Sequence, residues 1–398
     1  QKHVPGFDRR RYGVYAGDLA AHGVYADAAH TALQNLKRRI ENPGISSDFI
    51  SIDSFTKKVS LPDYDIIFVD ECSTIDNRVM ATFMSKISPT TLLVLAGDIH
   101  QIEAIEFGNW FFYAKEIINS RGANVELLST WRTKDESIKD LWDEVRKKGN
   151  LITEKLVING PFSEEIGPQV FERAMEDEVV LCLNYDGKFG LNNMNSYFQN
   201  ANKAGPAVVW QDWSYKVADP ILFVDTGRFS VLYNNLKGRL VDIVRDDEKI
   251  VFTIDVDILL TQLDCDRDEI EYVDTIDGKT RIRFPVFSYI DSADGSDDSS
   301  FRVKTIIPFQ LAYAVSIHKA QGLEYDSVKV VIPNSNSERI SHGIFYTAIT
   351  RAKKKLKIYW SAETMQQIVS GFTEDVSEQI SKELITAKLL MLDNGNQH

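Results

Sequence analysis

The sequence predicts an α/β fold of two parallel-sheet units, the second carrying a small all-β insertion. Three observations carry that prediction. Short apolar runs of β-forming residues recur along the chain at 65–71 (DIIFVDE), 90–98 (TTLLVLAGD), 124–129 (NVELLS), 177–184 (DEVVLCLN) and 327–333 (SVKVVIP). They are continuous rather than alternating, the pattern of strands buried on both faces. Segments with helical spacing, such as NRVMATFMSKI at 77–87, lie between them, and this is β–α–β punctuation. Residues 239–305 have a different character, in which GRLVDIV, KIVFTIDV and TRIRFPVFSYI are joined by acidic pieces and by the turn dipeptides Asp277-Gly278 and Asp294-Gly295.

In chain order, residues 1–29 show no strong period, and 30–40 place Leu33, Leu36 and Ile40 on one helical face. Residues 133–150 read as a helix that stops on basic residues and a glycine. The looser stretch 151–176, with two prolines, is expected to be the linker that ends a partial first unit at 1–150. The second unit is expected at 177–238 and 306–398. It contains the strand 177–184, a helix at 190–203, a strand at 219–227, a helix at 310–321, the strand 327–333, a helix at 340–355, a strand at 356–360 and a tail of one or two helices.

Composition narrows the function classes. The 398 residues are 43% hydrophobic and 26% charged, as in a soluble globular chain, and no apolar run is long enough to span a bilayer. Cys72, Cys182 and Cys265 are far apart and in no metal-ligand spacing. This predicts a reducing, cytoplasmic setting with Cys72 and Cys182 as small buried residues. The net charge of −13 argues against a protein that simply coats a polyanion. It leaves room for a local basic groove, because acidic and basic residues are segregated along the chain.

Several segments could carry chemistry. Asp70-Glu71 follows a buried strand, where side chains reach the crevice at the carboxyl edge of a parallel sheet. Asp there suits Mg²⁺ and Glu suits an attacking water, although the pair alone could equally be an acidic turn. The next buried strand ends in Gly97-Asp98, with Gln101 three residues later, a residue able to bond both a phosphate oxygen and water. Arg132 in STWRT and Arg351 in FYTAITRAKKKL supply guanidinium groups suited to phosphoryl charge; taken singly, each could be a salt-bridge partner.

Together, in the order VDE, GDxxQ, WRT, HKAQGLEYDSVKVVIP and YTAITRAKK, these segments resemble the superfamily 1 helicases. The resemblance is to the RecD-like group with its UvrD-like C-terminal domain, and it covers residues 30–360. It implies two RecA-like domains, an SH3-like insertion at 239–305, ATP and Mg²⁺ as cofactors, and single-stranded DNA or RNA as partner, with no membrane. It implies that Asp70 and Glu71 handle Mg²⁺ and water, that Gln101 senses the γ-phosphate, and that Arg132 and Arg351 are arginine fingers. Asp98, Gln321, Gly322 and Glu324 would lie near the nucleotide. Thr31, Ser54, Phe55, Ser316, His318 and Lys319 would lie near the nucleic acid.

The chain departs from the family in one respect. It contains no G-x-x-x-x-G-K-[ST] phosphate loop; the Gly278-Lys279-Thr280 sequence lacks the upstream glycine and is expected to be a hairpin turn. The expectation is therefore an ATP-dependent helicase or translocase in N-terminally truncated form. The alternative is a helicase-like nucleic-acid-binding module that no longer hydrolyses ATP.

Overall fold

The computed structural model describes residues 52–57, 66–102, 110–120, 123–288, 304–334 and 340–372, apart from positions 90, 128–129, 160–161, 225, 227, 230, 267 and 269. Thr31, the helix expected at 30–40, the Asp294-Gly295 turn and the tail beyond 372 lie outside the described residues.

In the first unit, strands β1 (Ile66–Val69) and β2 (Leu92–Leu95) pair in parallel, with Val69 opposite Leu95. Helices α1 (Ile52–Lys57) and α2 (Asn77–Met84) pack against them through Phe55, Met80 and Phe83, which share a core with Val69 and Cys72. Asp76 starts α2 by accepting from the amides of Arg78 and Val79. Helix α3 (Trp110–Ser120) follows, its first indole donating to the Ile75 carbonyl at 2.7 Å.

The segment NVELLS, expected to be a strand, is not one where described: 123–127 form no regular element, and Val125 and Leu127 are exposed. Helix α4 (Glu136–Arg146) follows. Its apolar stripe of Ile138, Leu141, Trp142 and Val145 is buried in the core of the second unit, and the Trp142 indole donates to the Ile349 carbonyl. Helix α4, expected within a first unit running to 150, thus packs in the core of the second sheet.

The expected linker 151–176 is likewise part of that core. Ile152, Leu156 and Phe162 are buried in it, and β3 (Ser163–Glu164) joins the sheet edge.

The second sheet is wholly parallel. With β4 (Glu178–Cys182), β13 (Ala314–Ser316), β14 (Tyr325–Val331) and β15 (Ala352–Tyr359), its order is β13-β4-β14-β15-β3. Helix α5 (Leu191–Ala201) follows β4, α6 (His342–Ile349) joins β14 to β15, and α7 (Ala362–Ser370) follows β15. Cys72 and Cys182 are buried, as expected.

Between α5 and the all-β unit lies the hairpin β5 (Val208–Trp210) and β6 (Trp213–Tyr215). The all-β unit is wider than 239–305. Its sheet, in the order β10-β11-β9-β8-β7-β12, comprises β7 (Pro220–Phe223), β8 (Lys237–Arg245), β9 (Lys249–Val256), β10 (Glu271–Ile276), β11 (Lys279–Phe287) and β12 (Phe309–Leu311), all antiparallel. The run 219–227 thus belongs here and not to the parallel sheet. It reads as continuously apolar because Ile221 and Phe223 enter the all-β core while Leu222 enters the other one. The segment 310–321, expected to be a helix, instead holds the end of β12, then β13, then turns. Gly278-Lys279-Thr280 is a hairpin, with Asp277 at φ 51° and Gly278 at φ 78° between paired β10 and β11, the two positive values of a type I′ turn.

Candidate functional site: a cleft between the two sheets

The carboxyl ends of β1 and β2 are stitched together just before the site. The Ala96 amide donates to Val69 and the Cys72 amide donates to Ala96, at 2.8 and 2.9 Å. Burial pushes the Cys72 thiol up to about 12, so it is inert packing. This lattice forces a tight turn at Asp70-Glu71. Glu71 adopts φ 51° and ψ 40°, the left-handed region that a non-glycine residue occupies at a cost. Burial raises the Asp70 carboxyl above the usual range, against an opposing bond from the Glu71 amide. Burial also raises Glu71, helped by the Asp70 charge, while Arg351 and Arg132 pull it down.

After β2, Asp98 organises its own turn. Its carboxylate accepts from the His100 amide at 3.0 Å and from the Gln101 side-chain amide at 3.3 Å. This leaves Gln101 Oε1 buried without a partner.

The facing wall belongs to the second unit. Arg351 is 1% exposed. Its guanidinium donates to the carbonyls of Thr347 and Leu323 and to the Thr350 hydroxyl. Burial first, and the neighbouring Arg132 charge second, pull it down to about 10; Glu71 and Asp98 act the other way. Arg132 donates to the Thr350 carbonyl at 2.9 Å and pairs with Glu324 at 3.3 Å. Gly322 has φ 76°, and a side chain there would begin 3.6 Å from the Glu71 carboxylate. Gln321 Nε2 is also buried without a partner. The acids and Gln101 thus come from one unit, and both arginines, Gln321, Gly322 and Glu324 from the other.

The residues expected near nucleic acid are not gathered here. The segment 317–324 crosses the second sheet, leaving β13 at its carboxyl edge and entering β14 at its amino edge. Ser316, His318 and Lys319 therefore lie at the start of that crossing, and Gly322 and Glu324 at its end. His318 is exposed to solvent on one side, and the protein packed around the rest of the ring lowers its imidazole by partial desolvation. Lys319 donates to the Gln310 side chain at 2.7 Å, and the Ser316 hydroxyl accepts from the Lys319 amide. Phe55 is a core residue, 5.0 Å ring to ring from Phe83, rather than a stacking platform. Ser54 lies in α1, its side chain outside the described ones.

Sequence reasoning missed Thr347, whose hydroxyl accepts from the Ile102 amide at 2.9 Å across the two units. It also missed Ser73, whose buried hydroxyl lacks a partner just after Glu71. The small polar residue following the acidic pair was the available signal. Among the described residues no group of three or more His, Cys, Asp or Glu is set to hold a metal ion, and no helix is long and apolar enough to cross a membrane.

Two parallel-sheet units that face each other across acids on one side and a buried and a half-buried arginine on the other define a RecA-like two-domain architecture. Comparison with known proteins agrees. A family described as UvrD-like helicase C-terminal domain matches residues 311–359, and one described as AAA domain matches 13–157. The RecBCD enzyme subunit RecD of Buchnera aphidicola subsp. Acyrthosiphon pisum is 21% identical over 377 residues, covering 78% of this chain and 56% of that protein. The RecD subunit of Mycolicibacterium smegmatis is 24% identical over 324 residues, covering 74% and 50%. The chain spans about half the length of these curated relatives. A solved structure of two coordinating Pif1 helicases, described for DNA unwinding at forked double-stranded DNA, shares the fold with a TM-score of 0.51 at 13% identity, covering 93% of this chain and 98% of that one. These matches support the resemblance of the chain to the RecD-like group of superfamily 1 helicases.

Proposed function

We propose that this chain is the motor of an ATP-dependent helicase or translocase acting on single-stranded DNA, moving 5′→3′ as its family does. The observation that carries this reading is the division of the cleft. Asp70, Glu71, Asp98 and Gln101 lie on one unit and Arg132 and Arg351 on the other, and Gln101 Oε1 and Gln321 Nε2 are buried without partners. Those groups fit the γ-phosphate end of a nucleoside triphosphate. Gln101 Oε1 accepts from a water, Gln321 Nε2 donates to an anionic oxygen, and the arginines meet phosphoryl charge from the opposite wall. Asp70 is the residue that would hold Mg²⁺, which needs only one or two protein carboxylates beside phosphate oxygens. Bound ATP supplies the phosphoryl group and the free energy of its transfer. Glu71, with its raised pKa and its place beside Gly322, takes the proton of the attacking water.

Because the arginines and the acids sit on separate units, occupancy of the cleft favours closure and hydrolysis releases it. In this reading Ser316, His318 and Lys319 face the strand. The sequence feature that favours the second reading, a strand-binding module without hydrolysis, is the missing G-x-x-x-x-G-K-[ST] sequence.

ATP hydrolysis by the full-length protein, with and without single-stranded DNA, separates the two readings. Strand-stimulated turnover is expected, falling at least about a hundredfold in Arg351→Ala while strand binding persists. Salt-sensitive strand binding without turnover supports the second reading, and normal turnover in Arg351→Ala removes the arginine from the mechanism.

A further inference from the structure

Helix α6 does more than deliver Arg351. Gly343, Thr347 and Arg351 are spaced by four, so they form one row along the helix and just past its end. The turn after β2 lies along that row. The Gln101 carbonyl occupies the space a side chain at Gly343 would need: a Cβ there would come 2.8 Å from the carbonyl oxygen and 3.2 Å from its carbon. One helical turn further on, the Thr347 hydroxyl accepts from the Ile102 amide, a bond that is buried and joins residues 245 apart in sequence. Thr347 also passes its carbonyl to Arg351 Nε at 3.0 Å. On the flank, the His100 ring meets Tyr346 edge-on at 6.1 Å and His342 at 6.3 Å, and those two rings are parallel to each other. His342 in turn bonds the Val145 carbonyl on α4.

We infer that Gly343 and Thr347 are positioning residues. They hold the Asp98–Ile102 turn against α6 while the cleft is closed, so that Gln101 and Arg351 keep one relation across it until hydrolysis releases the two units. The inference rests on the functional reading above and adds a specific mechanical link to it. Neither residue touches the reacting atoms. Gly343 acts by having no side chain, and Thr347 acts by joining the turn to the helix at the same residue whose carbonyl orients Arg351. A displacement of the turn by a fraction of an ångström changes the geometry of Gln101 relative to the arginine, and misplacement on that scale lowers the rate of the chemical step rather than ground-state binding.

The test uses the full-length protein and two readouts. Thr347→Val keeps the volume and removes the hydroxyl, and Thr347→Ser restores it. Hydrogen exchange at the Ile102 amide, measured with a non-hydrolysable ATP analogue bound, is expected to quicken by about tenfold or more in Thr347→Val and to return to the wild-type rate in Thr347→Ser. Strand-stimulated hydrolysis is expected to lose about tenfold to a hundredfold in kcat in Thr347→Val and in Gly343→Ala, with KM for ATP within about threefold of wild type. The serine variant recovers kcat. Unchanged exchange in Thr347→Val, or quickened exchange with an unchanged kcat, overturns the inference while leaving the helicase reading intact. A loss that the serine does not rescue also overturns it. Wild-type protein without any turnover overturns the functional reading itself, and the catalytic role of the two residues with it.

Discussion

Glu71 is the residue at which fold and chemistry conflict. Its backbone sits in the left-handed region and its carboxyl is pushed above the ordinary carboxylate range by burial and by Asp70, only partly offset by Arg351 and Arg132. For an acid raised in the folded state, folding favours the protonated form. The stabilisation is therefore present below the unfolded value of 4.5 and is lost as pH rises through the higher folded value. At neutral pH the ionised carboxylate works against the fold. Glu71→Gln is expected to be more stable than wild type at pH 7 in urea unfolding, with the advantage vanishing toward pH 4, and to have lost hydrolysis. A glutamine variant no more stable at pH 7 than at pH 4 would show that the carboxyl is not under this burial penalty. The acidic pair, Gln101 and the two arginines could be named from the sequence as candidates because each lies in or close to a short motif beside an apolar run. Thr347 could be quoted in its motif, but its partner is Ile102, and no local pattern reports a bond across 245 residues.

At the scale of elements, what was legible divides by how each segment is buried. The strands β1, β4 and β14 were readable because their apolar runs are continuous, whereas β15 was read only from Leu356: the helix expected at 340–355 ends at Ile349, and the AKKK that follows opens the strand. The three-residue strands β12 and β13 were not, since a run of Phe, Leu, Ala and Val that short fits a helix equally well. NVELLS misled for the opposite reason, with β-forming residues that the fold leaves exposed. Helix α4 shows how a correct helix can be given to the wrong unit: its stripe says that one face is buried, not against what.

That assignment has measurable consequences. Asp135 caps α4 through the Ser137 and Ile138 amides and the Ser137 hydroxyl, the last being the main reason its carboxyl lies below the ordinary range. Asp135→Ala is expected to cost about 1 kcal/mol. Leu141 is 0% exposed within the core of the second sheet, and Leu141→Ala is expected to cost about 3 kcal/mol. Both losses should appear in the denaturant unfolding of the second unit. If Leu141→Ala destabilised only the first unit, α4 would have to be returned to it.

For the whole molecule, the proposed function raises the question of how a chain with a net charge of −13 would hold a polyanion. Charge summed over the chain is a poor guide, because many of the cations are already engaged. Lys237 is bound to Asp177, Lys353 lies among Asp177, Glu324 and Asp326, and Arg281 is paired with Asp255. Lys319 differs: its ammonium rests on a neutral amide, Gln310, at the carboxyl edge of the second sheet, and burial keeps it below the usual lysine value. A cation held by a neutral partner gives up little when a phosphate approaches. Each phosphate neutralised on a single strand contributes about −0.7 to the slope of log affinity against log salt. Lys319→Gln is therefore expected to make that slope shallower by about 0.7 and to weaken binding to the same degree whatever the base sequence. A slope that does not change would mean that Lys319 meets no phosphate. The strand would then have to be held by backbone amides and hydroxyls such as Ser316, which position a backbone without releasing counterions.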